Sequence, residues 1–282
     1  MPLNKLCLVV LLLACAGMAQ ADATHVDVEV AAIHDDNLSR AESARDIFSD
    51  NVLDVGLTLT HTLLLTPNSG LKLKGGLHLA EHAKYTDLNQ ITTNAGVSYR
   101  IQPVAGYTAP WIELGALLER QSFRGSAIRD GSLLALEAIA GKRFTDRIGA
   151  RVGISRELRW ADEAKVFEWQ HNRIYAMADY KFGMDSTFYA SLSRVFGDQV
   201  FTTTPSLDIY EYSKAVAFDP VFGTRRAYRM GAVSDVLELG VSTPLNASNT
   251  LDIGLRRFQA DADGGHTYGN TELRASWLYR FR

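Results

Sequence analysis

Residues 271–281 read Thr-Glu-Leu-Arg-Ala-Ser-Trp-Leu-Tyr-Arg-Phe, and this stretch decides the fold. Leu273, Ala275, Trp277, Tyr279 and Phe281 alternate with Glu272, Arg274, Ser276, Leu278 and Arg280. Successive side chains of a β-strand point to opposite faces, so the segment is a strand with one apolar face that ends in three aromatics. Such a face requires a nonpolar surround.

Upstream, the same alternation recurs in segments of about ten residues separated by turn residues. The apolar phases run Val26 to Ala32, Leu53 to Leu65, Leu71 to Leu79, Ile91 to Tyr99, Ile112 to Leu118 and Leu134 to Ala140. They continue as Ile148 to Ile154, Ile174 to Phe182, Phe188 to Leu192, Val233 to Val241 and Leu251 to Leu255, ahead of the final strand. Thr66-Pro67-Asn68-Ser69-Gly70, Thr145-Asp146-Arg147 and Gly183-Met184-Asp185-Ser186 are turn signals between them. No helical periodicity of comparable quality competes. The pattern predicts an all-β protein, a transmembrane antiparallel up-and-down β-barrel of about 12 strands.

Features not used to find the strands test that count. Connections alternate between short ones, such as 66–70, 145–147 and 183–186, and longer ones, of which 34–50 and 197–228 are the longest. Tyr99, Phe144, Tyr180, Phe182, Phe188, Tyr279 and Phe281 share the apolar phase near the short connections, as an interfacial girdle requires. The charges in that phase, Glu81, Arg120, Arg156, Arg194, Asp235 and Arg257, gather at the other rim; His61 is the exception. The competing architecture is a soluble secreted sandwich or lipocalin-like barrel, in which the apolar phase would point inward.

Arg274, Ser276, Tyr279 and Phe281 place a polar residue, a small one and two aromatics two apart. Together with Trp277 they resemble the C-terminal assembly signal of bacterial outer-membrane β-barrel proteins, although Ser276 stands where Gly is usual and Arg282 follows the last aromatic. The resemblance implies insertion by the barrel-assembly machinery, an integral outer-membrane location with periplasmic termini, and contact with outer-membrane lipid and lipopolysaccharide. The N-terminus agrees. Asn4-Lys5, the apolar run from Leu6 to Leu13 and Ala19-Gln20-Ala21 read as a signal peptide over 1–21, leaving a barrel domain over 22–282. Cleavage before Cys15, as in a lipoprotein, is the alternative. Cys7 and Cys15 both lie in the signal segment, so the mature barrel has no thiol chemistry.

The inverse phase gives the lumen. Lys72, Lys74, Arg100, Glu113, Glu119, Glu137, Arg151, Arg173, Asp179, Glu238, Asp252, Arg256 and Arg274 are its predicted lining. Acids and bases balance there, whereas a strongly selective pore shows an excess of one sign. The formal net charge of -3 gives no reason to expect nucleic acid. The expected function is a small, weakly selective channel or transport-related barrel passing a small polar solute. A closed barrel with a structural, adhesive or secretion-partner role is the alternative, and a lipid-modifying enzyme the third; Asp35-Asp36-Asn37 resembles barrels found with exopolysaccharide-export and surface-lipoprotein systems.

Catalytic patterns fail on geometry. His78-Leu79-Ala80-Glu81-His82 matches H-x-x-E-H, but that zinc chemistry needs a helix, and here the period is two. The lipid face carries no Ser and His pair for a phospholipase. No catalytic residue, cofactor or metal is expected. The acidic connection with Asp35, Asp36, Glu42, Asp46 and Asp50 reads as a solvated face, with a divalent-cation site as the alternative. The apolar connection 197–228 reads either as a lid over the mouth or as two strands protruding above the membrane, with the second preferred.

Overall fold

The structure, a computed structural model, describes residues 23–183 and 185–281; the expected signal peptide lies outside them. Thirteen strands form one antiparallel sheet: β1 (Ala23–Asp35), β2 (Asp50–Thr66), β3 (Ser69–His82), β4 (Gln90–Ile101), β5 (Trp111–Phe123), β6 (Gly131–Arg143) and β7 (Ile148–Ala161) come first. They are followed by β8 (Trp169–Phe182), β9 (Ser186–Thr203), the short β10 (Ala215–Phe218), β11 (Arg226–Pro244), β12 (Asn249–Ala262) and β13 (Thr267–Phe281). Among the described residues the one α-helix, α1 (Leu207–Tyr212), precedes β10, and apart from it the long connections carry only short 3-10 turns.

Twelve of these strands close into a barrel. Each pairs with its sequence neighbour, β11 pairs with β9, and the terminal strands pair from Val26 with Phe281 to Asp35 with Glu272. Closure leaves these strands no free edge, which satisfies the backbone in a bilayer. All twelve apolar phases of the sequence fall on these twelve strands.

Local chemistry sets the short turns. Pro67-Asn68 joins β2 to β3, where the Thr66 hydroxyl accepts from the Asn68 N–H at 3.2 Å. The Thr145 hydroxyl accepts from the Arg147 and Ile148 N–H groups at 3.2 and 3.0 Å. Asn246 Oδ1 takes the N–H groups of Ser248 and Asn249 at 2.9 and 3.0 Å. These side chains bond the backbone two or three residues on, which suits Thr and Asn to tight reversals.

The apolar phase faces out. Leu114, Leu136, Ile154, Leu192, Ile253 and Leu273 are all exposed on the outer wall, and the same holds on every barrel strand from β2 to β13. An apolar surface of this extent is far beyond the patches that water-soluble monomers expose. At the short-turn end Trp277, Tyr279 and Phe281 form a ladder, with ring centroids 6.0 and then 4.7 Å apart. Outward charges at the opposite rim are held by one another or by neutral side chains: Arg194 grips Asp235 through two bonds of 2.7 Å and Arg120 binds Asp162, while Arg156 bonds Asn172 and Gln170 and Arg257 bonds Thr271. His61, the outlier, bonds the Thr24 hydroxyl at 2.7 Å.

Candidate functional site: the lumen and its lid

Contacts between strands that are not neighbours identify the concave face. The Tyr189 hydroxyl on β9 donates to Asp252 on β12 at 3.0 Å, passing over Gly240 of the intervening β11, where any Cβ would meet the tyrosine ring. Tyr175 on β8 likewise reaches over β7, where Gly153 leaves room, to donate to Glu137 on β6 at 2.7 Å. These glycines remove side chains that would block the ring, so the lumen wall is shaped by Tyr over Gly.

The same face carries the predicted lining residues, largely as pairs. Arg100 and Lys72 both reach Glu113, Arg274 binds Glu29 at 2.7 Å, Arg256 binds Glu272 at 3.2 Å, and Arg143 binds Asp179 at 3.2 Å. Arg280 reaches Asp27 at 2.7 Å. Lys74, Glu119, Glu238 and Arg151 lie on this face as well, Arg151 directed at the Met177 sulfur and Glu119 accepting from Gln121 at 3.2 Å. Arg100, Arg256 and Arg274 nonetheless keep 49, 44 and 43 % of their side-chain surface open. A packed ion-pair core would close that surface, so this stretch of lumen is hollow and wet.

The long-connection end is different. Beyond Gly197, β9 has left its β8 partner and runs on with β11 alone, from Asp198 paired with Gly231 to Thr203 paired with Arg226. The preferred sequence reading, a pair of strands extending the barrel, matches this pairing, and the segment between them adds the other reading, since it folds across the mouth. It touches all five other connections at that end. The Thr202 N–H donates to the Ser39 carbonyl at 2.8 Å, Phe222 stacks on Phe48 at 5.3 Å and lies 5.2 Å from Tyr85, Arg129 binds Asp219, Arg229 donates to the Glu168 carbonyl, and Asp208 faces His266.

Buried acids fasten this lid. Asp46 accepts from the Thr203 hydroxyl at 2.7 Å, the Thr204 N–H at 2.9 Å and Arg225 Nε at 2.9 Å. Burial alone would raise its pKa, but these bonds outweigh it and hold the carboxyl at about 2. Asp219 takes Arg129, which also stacks over Phe167 at 4.6 Å, and the Thr202 hydroxyl at 2.8 Å. Asp50, by contrast, ties the start of β2 to the β3–β4 connection on which the lid rests, accepting from the Lys84 and Tyr85 N–H groups. All three carboxylates are 0 % exposed, and since Asp46 and Asp50 belong to 34–50 and Asp35 is buried as well, that connection is not a solvated acidic face, although Glu42 stays exposed.

Under the lid the lumen turns apolar. Val195, Phe201, Tyr228, Met230, Val236, Phe258, Ala260, Ala262 and Tyr268 form a buried inward cluster, with Met230 at 0 % and Tyr228 at 1 % exposed. The sequence reading missed it. The signal was a phase change: Leu251, Ile253 and Leu255 are odd-numbered, whereas Phe258, Ala260 and Ala262 switch to the inward phase of the same strand. Between this cluster and the wet lumen lies a cavity of about 290 Å³ whose wall includes Trp169, His171, Arg173 and Arg40. Arg40 is in the left-handed region at φ 55, a conformation costing roughly 1–2 kcal/mol outside glycine. Its guanidinium lies over the Phe258 ring at 5.3 Å.

The H-x-x-E-H motif is taken apart by the strand. His78 and His82 face Asp54 and Asp50 at 3.6 and 3.3 Å, while Glu81 accepts from Asn89. Among the described residues no cluster of His, Cys, Asp and Glu is placed to hold a metal ion.

No protein family and no curated protein matches the sequence. Solved structures do match the fold. The COG4313 outer membrane channel from Pseudomonas putida F1 superposes with a TM-score of 0.63 at 12% identity, over 94% of this chain and 97% of that one. The fold is that of an outer-membrane β-barrel. A KdgM porin in complex with disordered oligogalacturonate follows, with a TM-score of 0.51 at 11% identity, over 91% of this chain and 99% of its own.

Proposed function

We propose that this chain is an integral outer-membrane channel, weakly selective by charge, whose lumen is shut at one mouth by the lid 198–231. One observation carries the reading: a wet lumen with half-open, mutually balanced charges runs up to a dry closure built from a separate segment. A barrel serving only as scaffold has no use for a hollow interior ending at a dedicated cover. The structures sharing its fold are described as a channel and a porin, in accord with transport of a small polar solute. In this reading the termini and short turns are periplasmic, and Trp277, Tyr279 and Phe281 form the strand face read by the assembly machinery. The lid then faces outward, and the rim arginines Arg156 and Arg257, held only by neutral side chains, meet lipopolysaccharide phosphates.

The test is conductance of refolded protein in planar bilayers. Arg129→Ala leaves Asp219 buried without its cation, a loss of about 3–5 kcal/mol for a buried pair, and should release the lid. Wild type is expected to show rare, small steps and the variant frequent, larger ones. Silence from both proteins would refute the channel.

A further inference from the structure

The cavity beneath the lid has the chemistry of a binding site. Its charges do not cancel. Glu157 faces His171 at 3.8 Å, Asp198 is taken by Lys214 at 2.6 Å, and Arg256 is committed to Glu272. Two cations remain. Arg173 makes no ion pair among the described residues; its Nε is buried with no hydrogen-bond partner, and its guanidinium only lies over the Tyr175 ring at 5.2 Å. Arg40 bonds only the neutral Gln199, at 3.4 Å, and rests on Phe258. Glu157 and Asp35 attract Arg173 and Arg40 only at longer range, so a buried donor without a partner, in a wall that holds two guanidiniums, calls for an acceptor, and an anion supplies it.

The remainder of the wall specifies what carries that anion. Trp169 and His171 stack face to face, centroids 4.0 Å apart and 13° from parallel, a two-layer platform that offers a ligand one outer ring face. The His171 ring is held there by its bond to the Asp198 carbonyl. Val195, Val236 and Phe258 supply apolar wall. The polar groups of the wall, Glu157, Asp198, Gln199 and Arg256, already hold partners, so a polyhydroxylated sugar acid would compete with those bonds, whereas a flat arene meets Val195, Val236 and Phe258 without disturbing them. A volume near 290 Å³, at the small end for ligand sites, suits one ring rather than a chain of them. Arg40 reinforces the assignment: an arginine in a strained backbone conformation, aimed into a cavity, is a costly choice unless its guanidinium is used.

We propose that the compartment under the lid binds a monocyclic aromatic carboxylate, its carboxylate on Arg173 and Arg40 and its ring against the Trp169–His171 platform. The proposal deepens the channel reading by naming a substrate class, and rests on it only for the ligand's route through the lumen.

Binding of benzoate to refolded full-length protein in detergent, followed by calorimetry, tests it. Wild type should bind benzoate saturably, with benzamide and galacturonate each at least tenfold weaker. Arg173→Gln should weaken benzoate at least tenfold with heat-modifiable migration unchanged. Arg40→Asn, which tolerates the left-handed backbone, should weaken it without loss of stability. Equal binding of benzamide, or tighter binding of galacturonate, overturns the assignment, as does wild-type affinity in Arg173→Gln. The two readings separate cleanly. Benzoate binding by a protein silent in bilayers leaves the site standing and removes the channel; a conducting protein indifferent to benzoate does the reverse.

Discussion

Asp46 lies at the seam between the β1–β2 connection and the lid, and its ionisation state is part of what keeps the mouth shut. Its partners Thr203, Thr204 and Arg225 are 157, 158 and 179 residues away in the chain. No spacing rule links them, which is why the sequence presents the connection as an ordinary run of surface acids. Because the folded carboxyl, at about 2, sits below the unfolded value near 4, its contribution is fully present above about pH 4 and is lost as pH falls through about 2. Cleavage by pepsin within 204–225 should therefore accelerate as pH drops through that window, while the heat-modifiable barrel band persists. Asp46→Asn should be cut readily at every pH in the range and show a flat profile. Identical profiles for the two proteins would remove Asp46 from the closure.

At the scale of elements, Gly197 is where β9 departs from the barrel wall. Its φ is +146, and a Cβ there would lie 2.1 Å from the Gln170 carbonyl oxygen, backbone that cannot yield as a side chain would. Gly197→Ala should displace the lid strands and raise open probability in bilayers. Gly183→Ala is the control: φ there is +56 with nothing within 4 Å, so only strain of about 1 kcal/mol is expected and gating should not change. Equal gating in the two variants would deny Gly197 its hinge role. The same region explains what the sequence conceals. Barrel strands are legible because one face meets an apolar surround and the other water, which writes a period of two. Residues 198–203 and 227–231 are covered on both faces. Phe201, Tyr228 and Met230 pack inward, while Val200 and Ala227 pack against Val166 and Phe167 of the β7–β8 connection. A strand buried on both sides loses its alternation, so this stretch reads as an unusually apolar loop.

For the whole molecule, the governing claim is that the apolar belt faces hydrocarbon, and depth is the variable that isolates it. Leu136, at the middle of β6, and Ile148, at the short-turn start of β7, are 45 % and 43 % exposed on the same outer wall. In water the two positions are equivalent, and replacing either with Lys would change stability by little. In a bilayer they differ: Lys at mid-depth costs about 2–4 kcal/mol, falling to about 0–1 near the interface. Urea titration of folding into phosphatidylcholine vesicles should therefore show a large loss for Leu136→Lys and a small one for Ile148→Lys. Equal effects at both sites would mean that the wall is not graded by depth. The lumen would then lose its physical premise, since its paired charges are inside only because the alternate, apolar phase of the barrel strands is outside.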